Sequence, residues 1–203
     1  MESIPPPELL ARNLEALREV NHELSARLIN AAHDAPPAVL TATRDGRMNF
    51  RINYADGHSA WFGQTSIPQV RAEALIEQFD AGTNNVLLPG IAEGTEAQLL
   101  LARLQPLQCV FVWESNPTNA RLVLSLHDFA ANLRRRRLVV LVCPLADLTS
   151  SLVAWLEAHP DQVCPARMLR WPWQTHAEIA EIRSAVEAAW NESQGKRAQQ
   201  NAD

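Results

Sequence analysis

Between Asn84 and Glu114 the chain carries the residue types needed to hold a small ligand with backbone amides and one carboxylate. An apolar run, Val86-Leu87-Leu88, leads into Pro89-Gly90-Ile91-Ala92-Glu93-Gly94-Thr95-Glu96. A helical stretch from Ala97 to Leu104 follows, then Cys109-Val110-Phe111-Val112-Trp113-Glu114. This is the layout of a βαβ nucleotide-binding unit. Small residues at Gly90, Ala92 and Gly94 let backbone approach a ligand, and an acid about 20 residues later can accept from ribose hydroxyls. Gly90, Ala92, Gly94 and Glu114 are therefore the candidate binding residues, with Trp113 placed to stack on the ligand. Glu93 and Glu96 add negative charge beside the turn, which suits an amine better than a pyrophosphate. The competing reading is that Gly90 and Gly94 only shape a tight strand-to-helix turn.

Other chemistry is sparse. Asp128 and Asp147 follow later strands and fall near the carboxyl edge of a parallel sheet, though Asp147 also reads as a helix cap. His127 beside Asp128 makes a weak acid–base pair, because sequence neighbours seldom face each other. Cys109, Cys143 and Cys164 lack metal-ligand spacing and read as core residues in a reducing, cytoplasmic setting. No metal site is expected. The net charge of −5 gives no electrostatic footprint for nucleic acid, and no apolar run approaches a membrane span. Arg134-Arg135-Arg136-Arg137 reads as a solvated loop.

The elements that must position these residues follow from periodicity. Leu10, Leu14, Leu17, Asn21, Leu24 and Leu28 form one stripe of a long first helix, which Pro36-Pro37 stops. Three short extended pieces, about 38–43, 47–53 and 58–61, are separated by Asp45-Gly46 and Asp56-Gly57, which are hairpin turn signals. Ser66 caps a helix that Pro68 opens, with Val70, Ala74, Leu75 and Phe79 on its buried face. From Ser66 onward helices and strands alternate, and the strands at 86–88, 110–113 and 138–142 are continuously apolar. A parallel sheet covered on both faces is expected. The fold class is α/β: a Rossmann-like parallel sheet with flanking helices, preceded by an N-terminal helix and a small antiparallel β-meander. The expected divisions are 1–65 for helix and meander, 66–191 for the Rossmann-like domain and 192–203 for a disordered tail. Trp171 and Trp173 flank Pro172 in a loop expected to border the sheet edge.

The Gly90–Gly94 turn with Glu114 resembles the cofactor loop of class I S-adenosylmethionine methyltransferases, with Ala92 in place of their middle glycine and Leu88 where an acid is usual. A broader set of phrases resembles the N-terminal region of the motility-associated factor (DUF115) glycosyltransferases. These are Asn13-Leu14-Glu15-Ala16-Leu17, Gly90-Ile91-Ala92-Glu93-Gly94, Val110 to Pro117, and Leu126 to Leu133 leading into Arg137-Leu138-Val139. The resemblance spans roughly residues 13–143. It implies a Rossmann-like domain that accompanies a transferase domain in bacterial protein glycosylation, and it carries over no catalytic residue. Three functions follow as expectations. One is an accessory domain binding a catalytic partner domain or a nucleotide-like ligand. The second is a small methyltransferase using S-adenosylmethionine. The third is a non-enzymatic module that forms a homo-oligomer. The cofactor is open between S-adenosylmethionine and a nucleotide.

Overall fold

The computed structural model describes residues 6–31 and 37–200. The N-terminal stripe forms two helices, α1 (Pro6–Val20) and α2 (His22–Asn30), where one long helix is expected. The break is at Asn21. Its backbone leaves the helical region (φ −154°, ψ 84°), and its side chain accepts from the Leu24 amide, so it caps α2 instead of continuing α1. The stop expected at Pro36 lies outside the described residues.

Strands β1 (Ala38–Ala42), β2 (Met48–Asn53) and β3 (Ser59–Trp61) form the antiparallel meander in the order β1-β2-β3. Phe50 and Ile52 point into the core from β2, whereas Tyr54 lies past the strand, exposed and stacked on His58. Helix α3 (Pro68–Glu77) begins at Pro68, but Ser66 does not cap it. The cap comes from the first hairpin turn, where Asp45 accepts from the Gln69 amide at 2.8 Å. Burial alone would raise the Asp45 pKa, yet the hydrogen bonds from Thr43, Gln69 and Val70 hold it below the usual value. The buried face of α3 is Pro68, Ala72 and Ile76, with Val70 and Ala74 turned to solvent.

The larger sheet contains β4 (Val86–Pro89), β5 (Val110–Glu114), β6 (Leu138–Val142) and β7 (Arg167–Met168), all parallel, in the order β6-β5-β4-β7. This is the expected Rossmann-like sheet. Side chains alternate between its two faces. Leu88, Val110 and Val112 share one cluster with α4 (Thr95–Arg103), α5 (Pro117–Leu124), α6 (Ala130–Arg134), the N-terminal helices and the meander. Leu87, Phe111, Val139 and Leu141 meet α7 (Leu148–Ala158) and α8 (His176–Gln200) on the other face. All three cysteines are free and buried, and burial pushes the Cys164 thiol up to about 12.

Several local expectations change. Helix α6 absorbs the start of the arginine run. Arg134 pairs with Glu19, Arg136 with Asp161, and Arg137 donates to the Leu104 and Gln105 carbonyls at the end of α4. Asp147 occupies the position before α7 without a side-chain capping bond. Helix α8 starts from a reciprocal Thr175–Glu178 box and runs past Asn191 to Gln200, where a frayed tail is expected. Lys196 bridges Glu157 and Glu192 along that extension.

The N-terminal helix is tied to the sheet's helices by one buried amide. Asn13, fully buried, donates to the Leu124 and His127 carbonyls and accepts from the Phe129 amide. Asn13→Leu would leave three backbone groups unpaired, each costing about 1–3 kcal/mol when buried. The expected loss is about 3 kcal/mol or more in urea unfolding, with the far-ultraviolet circular dichroism of the native state unchanged.

Candidate functional site

Gly90 follows β4 and Gly94 occupies the cap position before α4. Gly90 adopts φ +103°, Gly94 +93°, and Ala92 between them +46°. A side chain at Gly94 would have no room, since its Cβ would lie 2.6 Å from a Val123 methyl and 2.9 Å from the His127 ring. Close packing against α5 explains this glycine. The turn is joined to β5 by the Gly90 amide, which donates to the Trp113 carbonyl at 2.6 Å.

Glu114 comes to the same turn. Its carboxylate accepts from the Ile91 amide (3.3 Å), the Asn116 amide (2.9 Å) and the Asn119 side chain (3.4 Å). Burial raises its pKa against the opposing pull of these bonds. Gly90, Ala92, Gly94 and Glu114 are thus neighbours at the carboxyl edge of the sheet. Trp113 is placed elsewhere. Its ring lies among residues of the face covered by α7 and α8, and its Nε1 donates to the Cys143 carbonyl.

The space over Gly90 is filled by Trp171, only 1% exposed, from the β7–α8 connection. A Cβ built on Gly90 would stand 3.4 Å from the Trp171 Nε1. Trp171 stacks on Trp173 with nearly parallel rings 5.2 Å apart. Gln174 fastens this loop to the sheet by donating to the Pro89 carbonyl at 2.8 Å.

Next to the tryptophans lies a charge cluster that sequence reading finds only in part. Glu93 and Glu96, 1% and 0% exposed, share one cation, Arg71 of α3. Arg71 donates Nε to Glu96 at 2.7 Å, Nη2 to Glu93 and Nη1 to the Gly63 carbonyl. Its guanidinium lies 5.3 Å from the Trp171 ring and 5.4 Å from the Trp173 ring. Burial, with Glu93 beside it, lifts the Glu96 pKa to about 7. Nothing around Arg71 in the sequence marks it, because its carboxylate and tryptophan partners lie more than 20 residues away.

His127 and Asp128 do not form a pair. The His127 ring faces the Glu93 carbonyl at 2.9 Å, which requires the proton on Nε2, and burial lowers its pKa to about 4. Asp128 turns outward to Arg12. A groove of about 1060 Å³ lies elsewhere, lined by Phe79, Leu87, Met168, Val186 and Trp190 among others. Among the described residues, no three His, Cys, Asp or Glu side chains gather as metal ligands, and no helix is long and apolar enough to cross a membrane.

No protein family profile matches the chain, and no curated protein matches it. A solved structure, the MAf glycosyltransferase from Magnetospirillum magneticum AMB-1, superposes with a TM-score of 0.61 at 16% identity. The match covers 93% of this chain and 35% of that one, so the chain spans about a third of that enzyme's length. The two share a fold over that span.

Two measurements test the charge cluster. Arg71→Met leaves two buried carboxylates without their cation and should cost about 3–5 kcal/mol of stability. The pH dependence has a definite sign. Glu96 keeps its proton up to about pH 7 in the fold but only to its ordinary 4.5 when unfolded, so its contribution is greatest below 4.5 and declines as pH rises to about 7. His127 acts oppositely: unfolded chains bind its proton from 6.5 downward, so stability falls as pH drops from 6.5 to about 4. Melting curves of Glu96→Gln between pH 4 and 8 should lack the first trend and keep the second.

Proposed function

We propose that this chain is a Rossmann-like accessory domain of a bacterial glycosyltransferase system for protein glycosylation, working beside a catalytic domain and performing no transfer itself. The observation that carries the reading is the fold match, which takes in nearly the whole chain yet only 35% of a glycosyltransferase. The polar groups at the sheet edge support it. Glu114 is engaged by three donors of its own chain, Arg71 is engaged by Glu93 and Glu96, and His127 at about 4 is a poor base at neutral pH. No side chain there stands ready to activate an acceptor hydroxyl. The resemblance of the Gly90–Gly94, Val110–Pro117 and Leu126–Leu133 phrases to the motility-associated factor group supports the same assignment. Its partner is a transferase domain and its setting the cytoplasm.

S-adenosylmethionine-dependent methyl transfer is the second reading, favoured by the bond between Glu114 and the Ile91 amide in the glycine-bearing turn. A binding assay and a deletion separate the two. Deleting the gene in its host should remove or truncate the glycans on a glycosylated surface protein, read by intact-protein mass spectrometry. Any thermal shift of the purified chain with S-adenosylmethionine or S-adenosylhomocysteine should be matched by adenosine alone and should survive Glu114→Ala. Intact glycans, together with a shift of several degrees that Glu114→Ala abolishes, would replace the accessory reading with methyl transfer.

A further inference from the structure

The strand order β6-β5-β4-β7 changes direction at β4: two successors lie on one side of it and the next on the other. In open α/β sheets ligands bind at this reversal, beyond the carboxyl ends of the strands. Here the loops leaving those ends are the Gly90–Gly94 turn after β4 and the Trp171-Pro172-Trp173 segment after β7. The indole of Trp171 occupies the space between them.

We propose that Trp171 is a displaceable occupant of a purine-base slot, floored by Gly90, walled by Trp173 and Arg71, and flanked by the buried Glu93–Glu96 pair. The inference goes beyond the accessory-domain reading: it gives that domain a ligand and names the ligand's base. Three observations carry it. The occupant is a flat bicyclic ring held by contacts that any base would also make: a parallel aromatic face at 5.2 Å and a guanidinium at 5.3 Å. Its fit is imperfect where polarity matters. Trp171 Nε1, Glu93 Oε1 and Glu96 Oε2 are buried without hydrogen-bond partners, a concentration that a permanent wall would avoid. An indole has one N–H and no acceptor, whereas a purine with amino and ring N–H groups offers donors that carboxylate oxygens can accept. Finally, the segment bearing Trp171 is short and its anchors are few. Strand β7 is two residues long, Trp173 is 40% exposed, and the segment is held to β4 by the Leu169 amide on the Leu87 carbonyl and the Gln174 side chain on the Pro89 carbonyl, with Trp171 and Gln174 bonded to each other.

Opening the slot therefore moves the short connection between Leu169 and Thr175 and leaves the sheet in place. The occupied and open forms compete, so a purine nucleoside binds the native chain with an affinity reduced by the fraction of molecules that are open.

The test uses the full chain with guanosine, adenosine, cytidine and indole as probes in calorimetry. Trp171→Ala should bind a purine nucleoside about ten-fold or more tighter than the native chain, with cytidine weaker in both. Adding Glu93→Gln and Glu96→Gln should weaken the purine and leave indole binding unchanged. A folded Trp171→Ala protein that binds indole but neither purine would overturn the proposal, because the hole would then be only indole-shaped. Equal purine affinity in native and variant chains would overturn it too. If Trp171→Ala does not fold, hydrogen exchange of residues 169–175 in the native chain decides: faster exchange with saturating guanosine or adenosine supports displacement, and unchanged exchange with both refutes it. The accessory role is judged separately by the glycan phenotype, so either idea can fail alone.

Discussion

One guanidinium holds the centre of this structure together. Arg71 reaches from α3 to the carbonyl of Gly63, to Glu93 in the turn after β4, and to Glu96 in the first turn of α4. Its faces meet Trp171 and Trp173 from the β7–α8 loop. A rigid planar fork fixes the directions of its acceptors and leaves two flat faces for aromatic rings, which an ammonium does not. The arrangement still leaves two carboxylates for one cation in a site removed from water. Burial first and the second carboxylate next lift the Glu96 pKa to about 7, and one oxygen of each carboxylate has no partner.

This constraint shapes the sheet edge. By drawing the meander, α3 and the last loop onto the β4–α4 turn, Arg71 brings Trp171 over Gly90, at the place where Rossmann-like sheets receive ligands. The Glu114 carboxylate is directed at the Ile91 and Asn116 amides. A Rossmann-like frame is present, while the groups at its carboxyl edge bond to one another. Folds of this kind host many functions, and the likeness to a glycosyltransferase defines the frame more firmly than the chemistry performed on it.

The N-terminal third is fastened to this frame by polar contacts as well as by apolar burial. Asn13 stitches α1 to the α5–α6 connection, and Asp45 of the first hairpin caps α3. Both residues are short polar side chains aimed at free backbone groups that secondary structure leaves unpaired. Helices, meander and parallel sheet consequently share one cluster of buried residues on the α4–α5 side.

Much of the architecture was legible without coordinates, because it depends on patterns local in sequence. Continuous apolar runs marked β4, β5 and β6, Asp-Gly pairs marked the meander turns, and alternating helices and strands required parallel pairing. The neighbourhood of Gly90 and Glu114 was legible for the same reason, since a βαβ unit brings the ends of adjacent strands together. The break at Asn21, the cap from Asp45, the helix after Phe129 and the continuation of α8 to Gln200 were not. Each depends on a partner far along the chain or on a short polar residue whose role changes with its surroundings. The same holds for the occupant of the crevice. Sequence alone determined a doubly covered parallel sheet with a small-residue turn at its edge; only the tertiary structure decided that Arg71 and Trp171 would fill that edge, because charge pairing and ring stacking act through space between segments whose separation along the chain carries no signal.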